Sequence, residues 1–239
     1  MKKSISLFLF IISAHFLNAN YTIKINPVNP IASVFFRENK GQIHDEFYKS
    51  KPEVLYTSYA GPLMMHIKAN GISYQLAKNE IANSSIQNNS SFNNHIKNVS
   101  QKTNIENTVS NITLNRVDLT WLYSNTLVQT TQDNERPGYD NFYLPNCPNG
   151  ILDVKSYSGI TLHNIYNGIN VHYYDNNNQL KHDYIVAPHA DYKQIKIKVE
   201  GAKIEKTPNG SIIFKTNIGD IEESSPVVYQ NGIQLKSSW

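Results

Sequence analysis

From Glu53 to the C-terminus, short runs of alternating apolar and polar residues are interrupted every few positions by Asn, Gly or Pro, and no segment carries a convincing helical period for more than two turns. A period of two places every second side chain on one face of an extended strand, so such a chain must bury its apolar residues between sheets. The clearest unit is "LMMHIKANGISYQLA". Asn70-Gly71 between two alternating runs predicts a two-residue hairpin turn with positive φ at both positions. It sets Leu63, Met65 and Ile67 opposite Ile72, Tyr74 and Leu76. "ITLNRVDLTWLY" alternates through Ile112 and Leu114 and then, after an apparent break, Val117, Leu119 and Trp121. From Lys155 onward come "SYSGITLHNIYNGINVHYY", "QLKHDYIVA", "QIKIKVEG", "AKIEKT", "GSIIFKT", "GDIEES" and "PVVYQNGIQLK". Turns are marked at Asn176-Asn177-Asn178, Pro208-Asn209-Gly210 and Asn231-Gly232. The expected fold is all-β: an antiparallel β-sandwich or two packed β-sheets.

Two segments fall outside this pattern. The opening "MKKSISLFLFIISAHFLNAN" has a basic start and an apolar run too short to span a bilayer, and it reads as a signal peptide cut after Ala19. The stretch beyond Ala77, "KNEIANSSIQNNSSFNNHIKNVSQKTNIENTVS", is rich in Asn and Ser and shows no period, which predicts a flexible loop. The expected organisation is a signal peptide at 1–19, an N-terminal β part at 34–77, an Asn/Ser-rich loop at 78–110, and a C-terminal β part at 111–239 completing the same module. The mature chain is expected to be secreted, extracellular or at the cell surface, without a membrane span.

Charge and cysteine content narrow the function. Lys and Arg number 22 against 19 Asp and Glu, and loss of Lys2 and Lys3 with the leader brings the balance close to neutral. Nucleic-acid binding, which needs a clustered basic excess, is not expected. Cys147 is the single cysteine, so no intrachain disulfide forms and the fold must rest on an ordinary core.

The segment "GINVHYYDNNNQLKHDYIVAPHADYKQIKIKVEG" concentrates His and Asp. As a hairpin it places Leu180, His182, Tyr184 and Val186 on one face and Lys181, Asp183 and Ile185 on the other. In the partner strand Ile169, Val171 and Tyr173 oppose Asn170, His172 and Tyr174. The spacing of His172, His182 and His189 matches no metal motif, and there is no HExxH or paired Cys. No metal or other cofactor is expected. Asp183 sits mid-strand among apolar residues, where a carboxylate needs a partner. It either fixes sheet register or serves as a general base or ligand. Asp183, His172, His182, Tyr173 and Tyr174 are therefore the candidate binding residues. Asp191 is expected to bond local amides after Pro188. There is no nucleophile elbow and no phosphate loop, and Glu222-Glu223, being adjacent on a strand, point to opposite faces.

Residues 35–42, "FFRENKGQ", resemble the "F-x-EN[KR]GQ" opening of an uncharacterised β-rich N-terminal domain of large secreted bacterial proteins. In those proteins it precedes β-propeller (SBBP) repeats, PKD-like domains or gliding-motility-associated regions. "VLYTSYAGPLMMHIKANGISYQL", "GYDNFYL", "NIYNGINVHYYDNNNQLKHDYIVAPHADYKQIKIKVEGA" and "GSIIFKTNIGDIEESSPVVYQ" are similar to later segments of that domain, so the resemblance covers roughly 34–235. Asn167, Asn170, His182 and His189 stand where the family usually has Pro, Asp, Tyr and Gly. The resemblance implies an extracellular or surface β module of Bacteroidota-like bacteria, often cargo of type IX secretion, and supplies no catalytic mechanism. It marks Glu38, Asn39, Gly41, Gln42, Gly168, Asp183, Pro188 and Asp191 as motif positions of structural weight. Relatives usually continue past the "YQ" close, so a short stand-alone or truncated member is expected.

These observations lead to a non-catalytic β-sandwich module for surface architecture or adhesion, packing on another extracellular domain or surface protein. A carbohydrate-binding module using exposed Tyr157, Tyr166, Tyr173 and Tyr174, with glycans as partners, is the second expectation. A hydrolase with carboxylates converging from separate strands, Asp183 among them, is the third.

Overall fold

A computed structural model of the chain describes residues 34–60, 63–81, 110–145, 147–176 and 179–239. The signal peptide expected at 1–19 and most of the polar stretch lie outside the described residues. Seventeen strands follow one another: β1 (Phe36–Glu38), β2 (Val54–Ala60), β3 (Leu63–Lys68), β4 (Gly71–Ile81), β5 (Ser110–Trp121), β6 (Gln129–Glu135), β7 (Asp140–Leu144), β8 (Cys147–Val154), β9 (Ser156–Tyr166), β10 (Ile169–Asp175), β11 (Leu180–Val186), β12 (Ile197–Glu200), β13 (Lys203–Lys206), β14 (Ile212–Lys215), β15 (Asp220–Glu223), β16 (Val228–Gln230) and β17 (Ile233–Leu235). One 3-10 turn, Tyr192–Gln194, precedes β12. The protein is all-β and antiparallel, and no described helix is long and apolar enough to cross a membrane.

Ten strands form one curled, half-barrel sheet in the order β11-β10-β9-β1-β2-β3-β4-β5-β12, with β6 also paired to β9. A three-stranded sheet, β13-β14-β15, packs against its inner face, and β7-β8 and β16-β17 are separate hairpins. The core lies between the first two. Phe36, Met65, Ile67, Tyr74, Val117, Ile160, Leu162, Val171 and Tyr173 from the large sheet meet Phe214 and Ile221 from the small one. Burying this many large side chains at roughly 25 cal/mol per Å² is the main force holding the two sheets together.

The hairpin register agrees with the alternation in the sequence. Leu63 faces Leu76, Met65 faces Tyr74, and Ile67 faces Ile72. The turn itself is displaced by one residue: Lys68 pairs with Gly71, so Ala69 and Asn70 occupy the loop. Of Asn70 and Gly71 only Gly71 has positive φ, +151°. A side chain there would run into the carbonyl of Leu119, so this glycine answers a close approach of β5 as much as a turn.

The apparent break in "ITLNRVDLTWLY" does not exist. β4 and β5 pair without interruption, and strict alternation sends Val117, Leu119 and Trp121 inward while Ile112 and Leu114 stand exposed on the other face. The polar stretch expected from residue 78 also starts later. β4 continues through Ile81 and β5 begins at Ser110, with Lys78 paired to Thr113.

Candidate functional site

The family-like opening is a structural knot. Asn39 Nδ2 donates to the carbonyls of Lys51 (3.0 Å) and Val54 (2.7 Å), and its Oδ1 accepts from the amides of Gly41 and Ile43. Gln42 accepts from Lys40 N and donates to Glu38 O, while Glu38 Oε1 accepts from Lys155 N across 117 positions of sequence. Gly41 has φ +114°. Arg37 Nε lies 2.8 Å from Asp140 Oδ2, and Lys40 donates to Asp153 O. Every side chain of "EN-GQ" therefore satisfies backbone groups of an irregular loop, which would otherwise cost free energy. The knot also ties the β7-β8 hairpin to β1. On that hairpin and the turn before it, Tyr139, Tyr143 and Leu152 are 61%, 73% and 50% exposed.

The β10-β11 hairpin carries the candidate binding residues. His172 pairs with Asp183, and Tyr173 with His182. Because neighbouring residues point to opposite faces, the two histidines are separated by the sheet. They do not form one site, and among the described residues no group of three His, Cys, Asp or Glu is placed to hold a metal.

On the outer face, His172 Nε2 lies 2.7 Å from Asp133 Oδ2 of β6. The two reach each other across Gly159 of β9, where a methyl group would run into both. The Tyr174 ring stacks on His172 at 5.0 Å, and its hydroxyl donates to both oxygens of Asp183 (3.4 and 3.3 Å). Burial raises the Asp183 carboxyl to about 6, against the lowering effects of Tyr174, His172 and Lys181. Burial and the neighbouring Asp183 push the Tyr174 phenol up to about 12. Asp183 is thus a buried, partnered carboxyl that ties β10 to β11.

A second polar cluster lies on the outer face of β3, β4 and β5. Asp118 accepts from Arg116, Ser73 and Lys68. Burial alone would raise its carboxyl, but these hydrogen bonds outweigh burial and hold it well below the usual range.

On the inner face, His182 is enclosed by Tyr173 and Tyr184, with ring centroids 5.5 and 5.4 Å away. Its Nε2 lies 3.8 Å from Oε1 of Glu223, which comes from the small sheet. Trp121 donates to the hydroxyl of Tyr184 (2.6 Å). Both members of the His182–Glu223 pair are almost fully buried. Burial lowers the imidazole to about 3 and raises the carboxyl to about 8, so the pair is uncharged and holds one proton.

Glu223 was legible only indirectly. Alternation on β15 places it on the same inward face as Ile221, and no residue type announces its partner. Asp133 had no signal, because the polar run "QTTQDNE" does not resemble a strand.

The remaining motif positions are structural. Ala190 N donates to Ala187 O around Pro188 and His189, and His189 has φ +67°. That is a type II turn with Pro at its first central position and His where Gly is favoured. Ala187 N donates to Gly168 O, and a side chain at Gly168 would press on Ala190. Asp191 caps the 3-10 turn by accepting from Lys193 N. The row of exposed tyrosines does not form: Tyr166 and Tyr173 are buried, and Tyr157 and Tyr174 are partly so.

The fold and these contacts define a β-sheet module in which the motif residues serve architecture. The chain belongs to the family described as Domain of unknown function (DUF7948), whose model matches residues 36–237. No curated protein and no solved structure matches it.

Proposed function

We propose that this protein is a secreted, non-catalytic β module for surface architecture or adhesion, of the kind found beside propeller repeats in exported bacterial proteins, and that it works by packing on another domain or surface protein. The observation that carries this reading is the β7-β8 hairpin. Its exposed Tyr143 and Leu152, with Tyr139 beside them, are anchored to β1 by the Arg37–Asp140 pair and the Glu38 and Lys40 hydrogen bonds. Aromatic side chains on a rigid support bind at low entropic cost. Meanwhile Asp183, the leading catalytic candidate, is enclosed beneath Tyr174. The test is a triple variant, Y139A/Y143A/L152A, displayed on the parent cell. Loss of surface retention with an unchanged melting midpoint is expected. Turnover by the purified chain on polysaccharide or peptide panels would overturn the reading.

A carbohydrate-binding reading has one observation in its favour. Tyr123, 90% exposed, lines a shallow cleft of about 170 Å³ with Tyr166, Gln194 and Lys196. A glycan array that lights up with the native chain and stays dark with Y123A would favour it over the first.

A further inference from the structure

We infer that the three-stranded sheet β13-β14-β15 is a cap seated on the half-barrel through the buried, protonated carboxyl of Glu223, which faces His182 and a ring of tyrosines, and that loss of this proton in mildly alkaline solution loosens the cap. The geometry sets the two parts apart. Among the described residues no backbone hydrogen bond joins β13, β14 or β15 to the ten-stranded sheet. Their attachment is by side chains: Phe214, Ile221 and Glu223 reach into the core from one side. The chain enters the cap through Gly201, at φ +86°, where a side chain would strike the carbonyl of Arg116. Among the described residues of this attachment Glu223 is the one inward-facing carboxyl, and it is 2% exposed.

Among the described residues, the surroundings of Glu223 offer no positive charge. The titratable groups that face it are His182 and Tyr184 of β11, Tyr173 of β10 and Tyr74 of β4. All three phenols are raised by burial and stay protonated. The Tyr74 hydroxyl and Glu223 Oε1 have no hydrogen-bond partner among the described residues. An ionised carboxylate in this position would be both desolvated and poorly compensated.

Proton linkage then fixes the direction and the window. With the cap open, both groups are hydrated and titrate near their ordinary values of 6.5 and 4.5. With it closed, the imidazole resists protonation down to about 3 and the carboxyl keeps its proton up to about 8. Between about 4.5 and 6.5 the pair holds one proton in either state, and pH has no leverage. Above 6.5 the open state has released that proton and the closed state has not, so rising pH favours opening until about 8. The opening equilibrium grows about thirtyfold across this window. Below 4.5 the open state gains a second proton, and acid favours opening too.

The experiment is amide hydrogen exchange on the full chain from pH 5 to 9, with rates converted to protection factors. Protection in β13, β14 and β15 is expected to be flat from pH 5 to 6.5, to fall about thirtyfold by pH 8, and to lie below that of β3 and β4 at every pH, because those strands exchange only through global unfolding. The E223Q variant should lose that fall. The H182Q variant should show it starting nearer pH 4.5, since no histidine then takes up the proton in the open state. The inference is overturned if E223Q falls as the native chain does, or if the cap amides are as strongly protected as those of β3 and β4, which would mean that the cap opens only when the whole molecule unfolds.

Discussion

The two faces of the β10-β11 hairpin use the same residue types to opposite ends. Outside, His172 has the carboxyl of Asp133 at 2.7 Å, a stacked tyrosine, and access to solvent. Inside, His182 has two tyrosine rings, a protonated carboxyl at 3.8 Å, and almost no exposure to solvent. Chemistry that is worth little at a surface becomes expensive in a core, because the interior makes every unpaired charge costly. The hairpin therefore shows that side-chain identity says less about a role than the parity of its position along the strand.

The largest effect should come from the adjacent tyrosines. Tyr173 is 1% exposed, so Y173A should cost about 3–5 kcal/mol through the cavity it leaves. Y174A should cost much less, about 1–2 kcal/mol, chiefly from leaving Asp183 without its donor. Urea melts of both would show it, and equal losses would break the comparison. Next is the pH profile. Glu223 has a raised carboxyl, so its stabilisation is lost as pH rises, and proton uptake by the hydrated His182 of the unfolded chain confines that loss to about 6.5–8. Native stability should fall by about 2 kcal/mol across this window, and E223Q should abolish the fall. Asp183 is also raised, so its contribution disappears between its ordinary 3.8 and about 6, and D183N should flatten that more acidic window instead.

Smaller still is the outer His172–Asp133 contact. Asp133 is substantially exposed, so H172A should cost under about 1 kcal/mol. G159A, which forces Asp133 away from His172, should reproduce that loss. A much larger cost for H172A would mean the outer cluster supports more than register. The smallest effect is expected at His189. H189G relieves a left-handed backbone at the price of a freer unfolded chain, for a gain of a few tenths to about 1 kcal/mol in thermal melts.

Much of this was legible in the sequence, because alternation carries its own geometry. The partition of Leu180, His182, Tyr184 and Val186 from Lys181, Asp183 and Ile185 follows from a period of two. So does the pairing of Leu63, Met65 and Ile67 with Leu76, Tyr74 and Ile72. What could not be read was contact between distant strands. That Glu223 would meet His182, or Asp133 would meet His172, depends on how a small sheet seats on a large one and on an edge strand with almost no apolar residues. The Asn70-Gly71 turn was misplaced by one residue because Gly71 serves its neighbour β5 as well as its own loop.

The knot around Asn39 has a consequence for how the protein comes into being. β1 pairs with β9, and Glu38 closes on the amide of Lys155, 117 positions later. A ribosome therefore delivers the first strand long before the strand that must hold it. Until then the early segment has only the β2–β4 meander for company, with Phe36 and the inner faces of β3 and β4 still uncovered. Long-range closure of this kind is slow and leaves sticky surface in the open. The newborn chain thus stays pliable until more than half its length has emerged, a state in which it can still be threaded, escorted or degraded, and only its later half decides when that period ends.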